Sequence, residues 1–250
     1  MNKLDQVYGI HAVDSLLSHH SGAVMQLHVQ ADRRGKNDKR LQGILSIAEK
    51  AGIPIHDYSR AELDELCPQV HQGILALCKP LNLERHEKDL DALLDKLGHP
   101  PFLLILDGVT DPHNLGACLR SAEAAGVDAV IVPKDKSAQL NHTVRKVASG
   151  AAETVPFIPV TNLARTLQSL QKKGIWLFGA ADEAEQSLYA TDLKGPIAIV
   201  LGSEGKGLRR LTRENCDTLV SIPMAGEVSS LNVSVSAGIC LFEAVRQRQN

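Results

Sequence analysis

The sequence predicts an α/β fold: a mostly parallel sheet with helices on both faces, preceded by a smaller α/β domain. Three observations carry that reading. Short, wholly apolar runs such as Phe102 to Leu106 are the mark of strands buried on both faces. They alternate with stretches whose apolar residues recur at helical spacing and stop at glycine, as Leu115, Cys118, Leu119 and Ala122 do before Gly126. A charged stretch, Lys79 to Asp89, with the composition of an exposed linker, separates this series from an earlier one.

In the first block, Tyr8 to Leu17 reads as a helix with Ile10, Val13, Leu16 and Leu17 on one face. Ala23 to Gln30 alternates as a strand, with a slip at Met25. Lys39 to Lys50 is an amphipathic helix stopped by Gly52, and Ile53-Pro54-Ile55 opens another extended segment. Ser59 followed by Glu62 is a capping-box pattern for a short helix, and Gly73 to Leu77 closes the domain as a strand. In the second block, strands are expected at Pro101–Leu106, Ala129–Val132, Val155–Val160, Ile175–Gly179, Ile197–Leu201 and Leu219–Ile222. Helices are expected at Asn114–Ala125, around Val144 and Val147, at Leu163–Lys173, and from Ser230 to Arg248. The last carries a stripe, Leu231, Val235, Gly238, Phe242 and Val245, spaced for packing. The division expected is 1–78 for the first domain, 79–98 for a linker and connecting helix, and 99–250 for the second domain.

Composition bounds the function. Apolar residues make up 44% and charged residues 22%, the balance of a water-soluble globular chain. No apolar run approaches bilayer length and the first residues lack a signal core, so the chain is expected in the cytoplasm, without a membrane. Five scattered cysteines without a C-x-x-C pair read as buried thiols in a reducing compartment, and no zinc-ligand spacing appears, so no metal is expected. A net charge of −2 gives no global attraction to nucleic acid, although residues 31–40 hold Arg33, Arg34, Lys36, Lys39 and Arg40 against Asp32 and Asp38.

Three loops of the second block are richer in Gly, Ser, Asn and Pro than connection requires. The first, Asp107 to Gly116, leads into Arg120, with Asn114 expected to cap the helix. The second, Leu201-Gly202-Ser203-Glu204-Gly205-Lys206-Gly207-Leu208, has glycines that permit close backbone approach, yet its spacing matches neither a P-loop nor a dinucleotide fingerprint. The third, Ile222 to Gly238, enters the last helix, with Ser229 or Ser230 as the expected cap. Asn232, Ser234, Ser236 and Gly238 are poor helix-interior residues, which points to close packing or a ligand.

In this order the segments N-L-G-x-x-x-R, L-G-S-E-G-x-G-L and I-P-M-x-G-x-x-x-S-L-N-V-S-V-S-A-G resemble the three motifs of the SpoU/TrmH class of SPOUT RNA methyltransferases. The first block, with V-Y-G-I-H-A-V and H-Q-G-I, looks like that family's small L30e-like substrate-binding domain. The resemblance implies a trefoil-knotted second domain, a homodimer built on it, and S-adenosylmethionine as cofactor. It implies 2′-O-methylation of a guanosine ribose of 23S rRNA in the peptidyl-transferase P-loop, free or in an assembling large subunit. The same chemistry on tRNA or another rRNA site, and an inactive RNA-binding module, are the alternatives. By resemblance, Leu201, Gly202, Ile222 and Leu231 would hold the cofactor, and Asn114, Arg120, Glu204, Ser230 and Asn232 would line the reaction centre. Arg120 would bind a phosphate and stabilise charge developing on the 2′-oxygen, because a guanidinium is a poor base.

Overall fold

A computed structural model describes residues 4–34, 38–79 and 85–249. Two compact units emerge, Met1–Leu83 with Arg145–Thr154, and Glu84–Val144 with Val155–Asn250.

The first unit is built on β1 (Asp5–Tyr8), α1 (Ile10–His20), β2 (Val24–Gln30), α2 (Ala31–Arg34), α3 (Lys39–Lys50), β3 (Ile55–Tyr58), α4 (Arg60–Leu66) and β4 (Ile74–Cys78). Its sheet runs β1-β4-β2-β3, with β4 antiparallel to both neighbours and β2 parallel to β3. Strand β1 is an addition to the expectation, which began with a helix; Gly9, at φ 92°, turns the chain from strand into α1. The slip at Met25 is a register shift between Val24 and Gln26, which leaves Met25 exposed. Val13, Leu16, Leu27, Ile44 and Ile74 form the core of one sheet face, and Tyr8, Leu63, Cys67 and Leu75 that of the other. The Ser59–Glu62 capping box forms as expected. Arg145 pairs with the fully buried Glu153 at 3.1 Å and with Asp5 at 3.7 Å, tying the 145–154 segment into this unit.

The second unit comprises α5 (Asp89–Leu94), β5 (Phe102–Asp107), α6 (Pro112–Ala124), β6 (Ala129–Pro133), α7 (His142–Ala148, ending in the first unit), β7 (Phe157–Val160), α8 (Leu163–Lys172), β8 (Trp176–Ala180), β9 (Ile197–Gly202), α9 (Arg210–Glu214), β10 (Thr218–Val220) and α10 (Val233–Arg248). Its six strands are all parallel, in the order β10-β8-β9-β5-β6-β7. Every residue of β5 is buried, and side chains such as Leu103 and Ile105 each contribute about 1.5–3 kcal/mol by leaving water. From β5 the chain builds outward through β6 and β7, then returns to the other side and inserts β9 beside β5. Such a reversal opens a crevice at the carboxyl ends of the strands, where α/β sheets bind ligands.

Two helix starts differ from expectation. Asp111, not Asn114, caps α6: its carboxylate accepts from the backbone N–H of His113 (3.1 Å) and Asn114 (3.3 Å), and Pro112 occupies the first turn, where it needs no donor. Asn232, not Ser229 or Ser230, caps α10, which therefore starts at Val233. The stripe expected as a packing seam on α10 is only partly covered within this chain. Val233, Ala237, Cys240, Leu241 and Ala244 are buried, while Val235 and Phe242 are 50% and 49% exposed. Both faces of this helix are apolar, so spacing alone could not orient it.

Candidate active site

The reaction-centre candidates come from three chain segments that the sheet brings together. Gly202 ends β9 opposite Asp107, the last residue of β5. Beyond it, residues 203–207 fold back as a tight loop, with Ser203 N–H donating to Gly207 O (3.1 Å) and Gly207 N–H to Ser203 O (2.9 Å). Gly205 and Gly207 take φ of 75° and 61°, open to glycine at little cost. A Cβ on Gly202 would lie 2.0 Å from the carbonyl carbon of Gly207, so this position admits no side chain.

Asn232 joins the segments. Its Oδ1 accepts from Ser234 N–H (2.9 Å) and Ser234 Oγ (2.6 Å), which caps α10. Its Nδ2 donates to Asn114 Oδ1 at 3.0 Å, and also to Glu204 Oε1. Those bonds fix the amide orientation, because only the nitrogen can donate to both acceptors. Asn114 Nδ2 then has no protein partner among the described residues and remains available as a donor.

A cavity of about 630 Å³ lies on one side of this cluster. Leu201, Gly202, Ile222 and Leu231 all line it, together with Glu204, Ser230 and Asn232. Sequence reasoning missed the Ala180–Glu183 wall, contributed by the end of β8. The available signal was two small residues followed by two acids at a strand end. Apolar side chains, exposed backbone and the carboxylates of Asp182, Glu183 and Glu204 suit a cationic sulfonium nucleoside, and the volume is that of a small-molecule site. Arg213 pairs with Glu183 at the rim.

Arg120 stands apart. It is exposed on α6, lines neither this cavity nor its neighbour, and makes no ion pair among the described residues. The cationic stretch of the first unit is largely neutralised. Arg33 pairs with Asp38 (2.7 Å), Arg34 with Asp57 (2.8 Å) and Arg40 with Asp14 (3.3 Å), while Lys36 lies outside the described residues. Among the described residues no cluster of metal-ligating side chains occurs, and no helix is long and apolar enough to cross a membrane.

The profile of the SpoU rRNA methylase family matches residues 101–242, which include all of these site segments. The chain belongs to that family. A second profile, described as RNA 2′-O ribose methyltransferase substrate binding, matches residues 6–84. Among curated relatives, the 23S rRNA (guanosine-2′-O-)-methyltransferase RlmB of Pseudomonas putida is 55% identical over 100% of this chain and 99% of its own. The protein of the same name from Shewanella oneidensis is 58% identical, with 100% of both chains covered. A crystal structure of an RNA 2′-O ribose methyltransferase aligns with a TM-score of 0.80 at 28% identity, covering 100% of this chain and 90% of that one. The α/β architecture and the methyltransferase class expected from the three motifs are thus met.

Proposed function

We infer that this protein is a cytoplasmic homodimeric enzyme that transfers a methyl group from S-adenosylmethionine to the 2′-hydroxyl of a guanosine in 23S rRNA. The observation that carries the chemistry is the Asn114–Asn232–Glu204 cluster, set at the edge of a cavity of suitable size and polarity. The target comes from the full-length similarity to relatives named for that reaction.

When bound, S-adenosylmethionine supplies a methyl group on an electron-poor sulfur, open to in-line attack by an oxygen. The protein's part is to position that oxygen and accommodate the charge it develops. Main chain at Leu201, Gly202, Ile222 and Leu231 forms the cofactor walls. Asn114 Nδ2 donates to the ribose, Ser230 lies on the same cavity rim, and Glu204 and Asn232 hold Asn114 in place. The 6–84 region selects the RNA. The outward apolar face of α10, with Val235 and Phe242, is the dimer surface.

The test is methyl transfer from labelled S-adenosylmethionine to unmodified 23S rRNA, followed by mapping of the modified ribose. A single 2′-O-methylguanosine in the peptidyl-transferase P-loop is the expected product. Methylation at a different nucleotide would move the target, and no transfer to any RNA would overturn the reading.

A further inference from the structure

A second cavity, about 820 Å³, is lined by Asn114 and Glu204, the two acceptors of Asn232, and reaches Lys136, Lys206, Arg209 and Arg210. None of the three motifs required it. We propose that it is the subsite for the phosphodiester backbone beside the target ribose, with Lys136, Arg209 and Arg210 as its phosphate ligands. The proposal rests on the RNA-methylation reading and adds the residues that hold the strand.

The cavity is built around Arg209. Its backbone N–H donates to Asp107 Oδ2 at 2.9 Å, and its Nη1 lies 3.4 Å from Oδ1 of the same buried carboxylate. Its Nη2 donates to Lys136 O at 3.4 Å. The guanidinium lies against Gly108, where a Cβ would be 2.9 Å from Nη2; at φ 81° that position also favours glycine. Lys136 holds φ 57°, rare for a residue with a side chain. Two chain segments, Asp107–Gly108 and Lys136, therefore fix one arginine in the lining of a cavity that adjoins the reaction centre.

Charge gives the ligand class. Asp107 already neutralises Arg209 in part, and Glu214 pairs with Arg210 at 2.8 Å. Two carboxylates also line the wall, Asp111 capping α6 and Glu204 bonded to Asn232; both accept from neutral donors and keep their charge, so the four lining cations exceed them by two. The ammonium groups of Lys136 and Lys206 have no partner among the described residues. Four basic side chains on one cavity wall, two of them without an ion-pair partner among the described residues, suit a phosphodiester. The cavity adjoins the cofactor site at Ser203, Glu204 and Gly207 and carries Asn114 on its own wall, so a strand placing its ribose at Asn114 would lay the adjoining phosphate here.

The test is a double variant, Lys136→Asn with Arg210→Gln. Asparagine tolerates the left-handed backbone at 136, and Arg209 is kept so that Asp107 retains its partner. Binding of a fluorescein-labelled 23S rRNA fragment is followed by anisotropy across a salt series. A control variant, Arg165→Gln with Lys172→Gln on α8, removes equal charge outside the cavity. The expected result is a salt slope reduced by about 1–1.5, since each lost phosphate contact on a single strand removes about 0.7. RNA affinity should fall about tenfold, with cofactor affinity unchanged and the control near the parent. An equal loss in the control, or no loss in the cavity variant, would overturn the subsite, even with methylation intact. A selective slope loss in a protein that methylates no RNA would keep the subsite and remove the reading beneath it.

Discussion

Asn232 has every polar atom of its side chain engaged: the oxygen caps α10, and the nitrogen bridges Asn114 and Glu204. Two substitutions separate these tasks. Aspartate keeps the shape and the cap, and a negative charge at a helix N-terminus is favourable. It cannot donate to Asn114, and it sets a carboxylate against Glu204. Asn232→Asp should therefore leave the melting temperature nearly unchanged while lowering kcat about 100-fold or more, the cost of removing one preorganised donor. Asn232→Ala should lose similar activity and also about 1 kcal/mol of stability with the cap. Calorimetry beside single-turnover kinetics checks both, and an aspartate variant with near-parent turnover would remove this cluster from the reaction.

The 203–207 loop makes the corresponding case for an element. Its closure depends on the bare Cα of Gly202, across which the backbone of Gly207 and Leu208 passes. Gly202→Ala must push main chain aside, a strain of about 1–3 kcal/mol. Because the loop is a cavity wall, most of that strain should appear as weaker cofactor binding, about 5- to 150-fold in a calorimetric titration. Unchanged affinity would take the loop out of the site. Local signals such as this glycine, the Ser59–Glu62 box and the Met25 slip were legible in the sequence, because each acts within a few residues. What was missed is non-local. Strand β1 exists through pairing with β4, some seventy residues on, where Asp5 faces Cys78. The cap of α6 went to Asp111 because Pro112 claims the first helical position. The three motif loops could be read as a site, but the second cavity could not: Lys136 and Arg209 meet only because β9 inserts beside β5.

At the scale of the whole molecule, the position of Arg120 and the outward face of α10 bear on one question. Arg120 lies away from both cavities of its own chain, while Val235 and Phe242 leave an apolar strip on the helix that packs against α6. A two-fold dimer through that strip would cover it and bring α6 of one copy toward the other. Phe242→Glu should then halve the mass seen in sedimentation, to the 27.0 kDa of one chain, and lower activity together with it. Whether Arg120 of the partner subunit completes each site follows from mixing Arg120→Ala with Gly202→Ala at a cofactor concentration that fills the parent site and leaves the Gly202→Ala site empty. In a mixed dimer the first subunit binds cofactor and the second carries the arginine. If the residue acts across the interface, one site in each mixed dimer is whole, and random exchange should restore about a quarter of the parent activity. If it acts within its own chain, every mixed dimer has one site without arginine and one without cofactor, and mixing restores nothing.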